Sequence, residues 1–216
     1  MTKEELKNKE RYSFDDLRAI VDILRAPDGC PWDREQTHES LRNNFIEEAY
    51  EVVEGIDRRD NGILREELGD MLLEVLFHTG LAEEEGAFTL EDVTTGICRK
   101  MIRRHPHVFG NETIRNDQIQ ASWDEIKRKE KGAKSKEDTL RGIAVSLPAL
   151  MRAEKAAEKS DFALLRPEKI PKDDAVLTGG EALYRIALAL VKKGVCPEEA
   201  LQKYVTALIE DPESYQ

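Results

Sequence analysis

Aromatic residues, glycine and proline are all scarce in this sequence, and the scarcity bears on its fold class. Of 216 residues, 6% are aromatic, 13 are glycine and 8 are proline, whereas 40% are hydrophobic and 36% are charged. This composition favours long helices over sheets. A chain of this length can bury a core without disulfides or a structural metal. We therefore predict an all-α protein.

Cysteine pairs, excess positive charge and long apolar runs are also missing. Cys30, Cys98 and Cys196 are far apart and form no C-x-x-C motif, so we expect neither a disulfide framework nor a zinc site. The net charge of -11 argues against nucleic-acid partners, although a phosphate-bearing ligand can bring its own cations. No segment approaches the roughly 20 apolar residues of a membrane span, and the charged N-terminus does not resemble a signal peptide. A cytoplasmic protein without a membrane partner is expected.

Hydrophobic periodicity and capping residues predict how the chain divides into helices. The first predicted helix starts at the Ser13 and Asp16 capping pair, and the fourth starts at Thr89 and Asp92. CPWDREQ is interpreted as an ordered loop before the second helix. The five helices begin near residues 14, 37, 63, 90 and 119. A charged linker at 131–138, a further helix, a Pro-containing connection at 167–180 and a final helix pair follow.

The second and third helices each carry two acidic residues beside the face that they are expected to bury. With about 100° per residue, Glu48 lies next to the apolar arc of its helix and Glu51 one step outside it. Glu67 and Asp70 repeat this placement. Packing the arcs together would bring the four carboxylates opposite one another. The arcs comprise Leu41, Phe45, Ala49, Val52 and Ile56 on one helix and Leu64, Leu68, Met71 and Val75 on the other.

Four converging carboxylates need a cation, because like charges raise one another's pKa and favour protonation. Oxygen ligands without His or Cys suit Mg²⁺, with Mn²⁺ as a substitute, better than zinc or iron. A di-iron bundle would use Glu-x-x-His pairs on two of its helices, whereas the last residue of each pair here is Glu51 or Asp70, which weakens that alternative. For either acidic pair alone, a solvated helix face is the simpler interpretation, whereas two matched pairs favour a metal site. Glu47 lies nearer to solvent and stays a candidate for contact with the metal shell.

Magnesium held by a few carboxylates commonly completes its shell with substrate phosphates, so a phosphate ligand is expected. Lys100, Arg103 and Arg104 lie in the last turn of the fourth helix, where the helix dipole favours cations. They either bind that phosphate or only cap the helix. Trp123, with Lys127 four residues later, offers an aromatic plane beside a cation, which suits a nucleobase. For an isolated tryptophan, however, core packing is the simpler interpretation.

The ordered set of motifs resembles the MazG family of nucleoside triphosphate pyrophosphohydrolases. The family signature E-E-x-x-E, a spacer and E-x-x-D stands here as EEAYE at 47–51 and ELGD at 67–70, and CPWDREQT, KMIRRHPHVFG, SWDEIK and SLPALMRAEKA also match. The resemblance implies a helical bundle completed by homodimerisation. It further implies a hydrolase that uses Mg²⁺ to cleave a nucleoside triphosphate into a monophosphate and pyrophosphate, with house-cleaning of noncanonical nucleotides as a family role.

The resemblance also implies residue roles and a domain order. The catalytic metal ligands would be Glu48, Glu51, Glu67 and Asp70, and the substrate contacts would be Glu47, Lys100, Arg103, Arg104, Trp123 and Lys127. Residues 1–130 would form the catalytic helical domain, 131–160 a linker and connecting helix, and 161–216 a degenerate second helical half. That last part lacks the metal-ligand motif, with Glu181 as its only acid where E-x-x-D is expected. The alternative is therefore a catalytically weak or inactive helical dimer acting as a regulatory or interaction module.

Overall fold

The computed structural model describes residues 2–111, 115–130, 135–163 and 174–210, and every regular element in these ranges is a helix. The predicted all-α class is confirmed. The chain divides into two compact units, Met1–Thr113 and Ile114–Gln216. The fifth predicted helix thus groups with the second unit, whereas the functional division at residue 130 stays a prediction. Within the described ranges, no helix combines the length and the apolar character needed to cross a membrane.

The first unit contains seven described helices, and capping side chains fix where the main ones begin. Asp16 and Ser13 form a capping box, as do Asp92 and Thr89, so both predicted helix starts are confirmed. The helices are α1 (Lys3–Lys7), α2 (Phe14–Arg25), α3 (Pro31–Glu35), α4 (His38–Arg58), α5 (Asn61–Glu84), α6 (Leu90–Arg104) and α7 (Pro106–Phe109). The prediction of a loop at CPWDREQ was wrong for α3, because Pro31 at its first position has a backbone angle suited to a helix start.

Helices α4 and α5 form an antiparallel hairpin, which is the centre of the first unit. Arg59 adopts a left-handed conformation with φ of 54° and ends α4, and the Asp60 carboxylate accepts hydrogen bonds from the first backbone N–H groups of α5. The two helices approach closely at Gly55, where an added Cβ would lie 2.8 Å from the backbone nitrogen of Leu64. A larger residue at 55 would force the hairpin apart.

Helix α2 packs on α5 and closes the core of the first unit. Two of its arginines pair with the end of α5, since the Arg25 guanidinium donates two hydrogen bonds of 2.8 Å to Glu84 and Arg18 pairs with Glu83. These pairs fix the crossing of α2 over α5. The buried apolar cluster beneath them contains Val21, Leu41, Leu76, Phe77, Leu81 and Leu90.

The second unit is centred on α10 (Ala149–Lys159), which contacts α9 (Lys136–Arg141), α11 (Ala175–Val191) and α12 (Pro197–Glu210). Small side chains allow this packing, because Ala157 and Ala187 are almost fully buried. Helix α8 (Ile119–Glu130) confirms the fifth predicted helix. The final helix pair is also confirmed.

Two helices of the second unit begin earlier than the sequence predicts. Ser135 caps α9, so the predicted linker at 131–138 is helical from Lys136 onward, while 131–134 lie outside the described residues. Asp174 caps α11, so the predicted connection at 167–180 gives way to helix at Ala175, and 167–173 lie outside the described residues. Local side-chain capping outweighs the polar and Gly-rich composition in both places.

Candidate metal centre

Helices α4 and α5 pack along one line of residues on each helix, and successive residues of each line are three or four positions apart. We call these two facing lines of residues the seam. The close approach of Gly55 to Leu64 and the edge-to-face contact of Phe45 with His78, at 5.7 Å between ring centroids, fix its antiparallel register. Glu48 therefore lies opposite the middle of α5. The seam positions are His38, Leu41, Phe45, Glu48, Val52 and Gly55 on α4 and Leu64, Glu67, Met71, Glu74, His78 and Leu81 on α5, and none of them is exposed.

Three of the four predicted metal ligands meet at this seam. One carboxylate oxygen from each of Glu48, Glu67 and Asp70 lies within 4.8 Å of the others, and all three residues are half-buried. Glu51 is the fourth member, because its side chain shares a hydrogen bond with Glu48 and its charge acts on Glu67. A hydrogen bond between two carboxyl groups requires that one of them carries a proton.

The proton affinity of the cluster reflects its crowding. Burial raises the pKa of Glu48 from 4.5 to about 7, with further contributions from the charges of Asp70, Glu51 and Glu67. Burial also raises the pKa of Glu67, followed by the charges of Glu51 and Asp70, while the hydrogen bond from Glu48 opposes the rise. The metal-free cluster is thus under electrostatic strain near neutral pH, as expected for carboxylates that converge on a cation site.

The arrangement fits a hard divalent cation. In octahedral coordination at about 2.0–2.1 Å, the ligand oxygens lie about 3–4 Å apart. The observed spread, up to 4.8 Å between the oxygens of Glu48, Glu67 and Asp70, requires only small side-chain rotations to reach that geometry. Carboxylates supply the whole described ligand set, which suits Mg²⁺ or Mn²⁺ rather than zinc. Because the acids are half-buried, one side of such a cation would remain open to a ligand.

Two residues assigned to the buried arcs are in fact exposed. Ile56 is 54% exposed and Leu68 is 49% exposed, so their predicted burial was wrong. The backbone contact at Gly55 rotates α4 so that Gly55, rather than Ile56, faces α5. Leu68 directly follows Glu67, and seating Glu67 in the seam places Leu68 outside it. Glu67 thus takes the inward position that an apolar-arc rule gives to Leu68.

The predicted substrate contacts are less closely tied to the cluster. Glu47 is exposed on α4. The cations of the fourth predicted helix lie in the last turn of α6, where Lys100 and Arg104 are half-buried and Arg103 is exposed, and the described contacts of α6 are with α5 and α7. Trp123 and Lys127 are half-buried on α8, which belongs to the second unit. Their roles toward a nucleotide stay predictions.

Two seam features were not predicted as part of the site. Glu74 is buried one turn after Asp70, and His38 stacks on His78 with 5.0 Å between ring centroids and 2.7 Å between their Nδ1 atoms. Burial lowers the pKa of His78, and the neighbouring His38 lowers it further. The sequence signal for Glu74 and His78 is their spacing on α5. They follow Glu67 at intervals of seven and then four residues, which places all three on the same face of the helix.

Comparison with known proteins places the acidic hairpin in a recognised domain. Residues 36–109 match the MazG nucleotide pyrophosphohydrolase domain, a segment that includes both acidic pairs and the α6 cations. The Thermotoga maritima protein named nucleoside triphosphate pyrophosphohydrolase/pyrophosphatase MazG is 40% identical over 215 residues, covering 91% of this chain and 83% of that relative.

This chain matches only part of two other relatives. The Escherichia coli nucleoside triphosphate pyrophosphohydrolase is 44% identical over 148 residues, covering 68% of this chain and 56% of that relative. The Bacillus subtilis protein YabN is 46% identical over 145 residues, and the match covers 67% of this chain and 29% of YabN. The likeness to the Thermotoga maritima protein, in contrast, extends over most of both chains. The chain belongs to the MazG family of nucleotide pyrophosphohydrolases.

Proposed function

We propose that this chain hydrolyses a nucleoside triphosphate between the α and β phosphates, giving a monophosphate and pyrophosphate, with Mg²⁺ as its cofactor. The observation that supports the proposal most directly is the cluster of Glu48, Glu67 and Asp70 oxygens in the α4–α5 hairpin. Relatives named as nucleoside triphosphate pyrophosphohydrolases add independent support. Removal of noncanonical nucleotides is the physiological role that the family resemblance suggests.

The four acids would hold the cation and keep it accessible to substrate. Glu48, Glu67 and Asp70 supply oxygens from both helices of the hairpin, and Glu51 hydrogen-bonds Glu48 and so orients it. A bound divalent cation would align the phosphates, lower the pKa of the attacking water and offset charge on the departing pyrophosphate. Because Glu48 has a pKa of about 7 without metal, its proton must leave when the cation binds.

The cations and the aromatic residue would complete the substrate site. We assign phosphate contacts to Lys100, Arg103 and Arg104, whose charges would stabilise the pyrophosphate leaving group. Trp123 would stack on the base, with Lys127 beside it on the same face of α8. Glu47 would contact the metal shell from its exposed position.

A homodimer is the expected assembly, and the exposed face of the hairpin suits it. Ile46, Tyr50 and Val53 form an apolar stripe on α4, and Leu68 and Leu72 lie at helical spacing on α5; each is 40–49% exposed. An exposed apolar patch of this kind is typical of an association surface. A second copy of the chain packed on it would bury the stripe and complete a bundle around the acidic seam.

The test of the proposed reaction is a product analysis with a panel of canonical and noncanonical nucleoside triphosphates, with and without Mg²⁺. We expect monophosphate and pyrophosphate, formed only with the divalent cation. Glu67→Gln keeps the size of the side chain and removes its charge, so it should lower kcat by at least about 100-fold, as the loss of one charge-stabilising group typically does. The products identify the bond that is cleaved.

Glu66→Gln is the matched control. Glu66 is adjacent on α5, exposed, and acts on Glu67 only through its charge. This variant should keep activity within about threefold, because an exposed charge is screened by solvent. Absence of turnover for every substrate would contradict the proposed activity and favour the regulatory module. Full activity of a folded Glu67→Gln variant would show that the acidic cluster is not the catalytic centre.

A further inference from the structure

Glu74 is a buried acid to which the proposed reaction assigns no role. It occupies a seam position on α5 and is 7% exposed, and its Oε2 atom has no hydrogen-bond partner among the described residues. A buried carboxyl oxygen without a partner is costly, because it has lost its hydration and gained nothing in return. Such a group in a folded protein calls for an explanation, and a catalytic role or a bound water molecule or ion is among the usual ones.

The position of Glu74 points to the acidic centre. It follows Asp70 by one helical turn, so the two side chains lie on the same face of α5 with Cβ atoms about 5–6 Å apart. Burial is the main cause of the raised pKa of Glu74, and the charge of Asp70 is the second. Seam neighbours toward the opposite end are His78 and, across the register, Phe45. With its low exposure, the Glu74 side chain is buried within the hairpin rather than directed to solvent.

Glu74 does not lie where it would bind the cation directly. Glu74 is not among the carboxylates whose oxygens lie within 4.8 Å of one another. Mg²⁺ commonly keeps several water molecules in its coordination shell, and groups just outside that shell orient the ligands. A carboxylate that follows Asp70 by one turn but lies outside this 4.8 Å set would therefore reach the cation through a water molecule rather than by direct ligation. Glu74 is 7% exposed within its own chain, so a second copy would have little access to it.

We propose that Glu74 is a further carboxylate of the metal centre, which holds the divalent cation through an intervening water molecule. The assignment rests on the metal-dependent function proposed above. It extends the centre from four acids to five and explains why a glutamate occupies a seam position that packing alone would give to an apolar residue. The competing explanation is a permanently protonated glutamic acid that only fills space.

The experiment is a titration of the nucleotide-free protein with Mn²⁺, followed by calorimetry and by the electron paramagnetic resonance signal of the free ion. Glu74→Gln preserves the shape and removes the charge. We expect it to weaken Mn²⁺ binding about 10–100-fold, the usual effect of losing an outer-shell partner. The control Glu66→Gln removes one charge from the exposed face of the same helix and should change the affinity by no more than about threefold. The metal-free Tm of Glu74→Gln should equal or exceed that of the unaltered protein, since a buried charge is removed.

A third variant separates charge from packing. Glu74→Asp keeps the carboxylate on a side chain shorter by one methylene, so it should bind Mn²⁺ more tightly than Glu74→Gln. Equal losses in these two variants would attribute the effect to packing and overturn the assignment. Affinities of Glu74→Gln and Glu66→Gln within threefold of the unaltered protein would identify Glu74 as a space-filling acid. No Mn²⁺ binding by the unaltered protein would refute the metal centre itself, and this assignment with it.

Discussion

The metal-free protein should lose stability as the pH rises through the neutral range, and Glu48 should be the main cause. Its pKa in the folded protein is about 7, above the usual 4.5. Between these two values the folded state binds more protons than the unfolded state, so the free energy of unfolding falls with increasing pH. The neutral carboxyl is tolerated below about pH 4.5, and the full cost of the ionised form is reached above about pH 7.

The size of the effect follows from the same values. A tenfold change in proton affinity corresponds to about 1.4 kcal/mol, so the rise from 4.5 to about 7 would cost at most about 3 kcal/mol. Glu48 is half-buried, and solvent screening reduces this limit to about 1–2 kcal/mol. For a chain of this size, that corresponds to a decrease in Tm of about 3–6 °C.

Thermal unfolding of metal-free protein between pH 5 and pH 8, followed by circular dichroism, measures this dependence. Glu48→Gln should flatten the curve across this range and raise the Tm at pH 8, because it has no proton to lose. Glu54→Gln is the control, since Glu54 is exposed on the same helix and pairs with Arg58. If Glu48→Gln and the unaltered protein show the same pH dependence, the electrostatic account of the cluster is wrong.

Two further predictions concern the hairpin. Val53→Arg should convert the expected dimer to a monomer in light scattering, because it places a charge in the apolar stripe of α4. The control Leu201→Arg, on α12, should leave the dimer intact. The reverse result would assign the interface to the second unit instead. Gly55→Val should lower stability by about 3 kcal/mol or more, because its side chain would overlap the Leu64 backbone, which a Cβ alone would approach to 2.8 Å. Chemical denaturation measures that loss, and a change below about 1 kcal/mol would contradict the close helix approach.

Capping residues made the longer helices predictable, and the absence of strong periodicity hid the short ones. Ser13 and Thr89 identify the starts of α2 and α6 because their side chains satisfy backbone donors that the helix leaves free. Helix α3 has five residues and no side-chain cap, so it lacks the repeating apolar pattern on which prediction depends. Its stability comes from packing against α2, which sequence alone does not show.

The acidic pairs were predictable from spacing, whereas the exact line of contact between the helices was not. Helical spacing near 100° per residue leaves a broad arc, and the arc included Ile56 although Gly55 makes the contact. A rule that places only apolar residues in the seam also excludes Glu74. The predicted roles of Trp123 and Lys127 depend on how a nucleotide would reach the cluster, which periodicity does not determine.

The seam itself gives the strongest argument that the hairpin is built for binding rather than for stability. Glu74 occupies a buried position where leucine would contribute about 1.5–3 kcal/mol, and Glu48 and Glu67 occupy half-buried positions where leucine would contribute part of that. The burial of these acids instead raises the pKa of all three, so the metal-free protein carries an electrostatic cost. A cation that binds only the folded hairpin would raise the free energy of unfolding and so offset that cost. Functional centres are the places where acidic residues are expected at buried positions, because a bound ligand compensates for their burial.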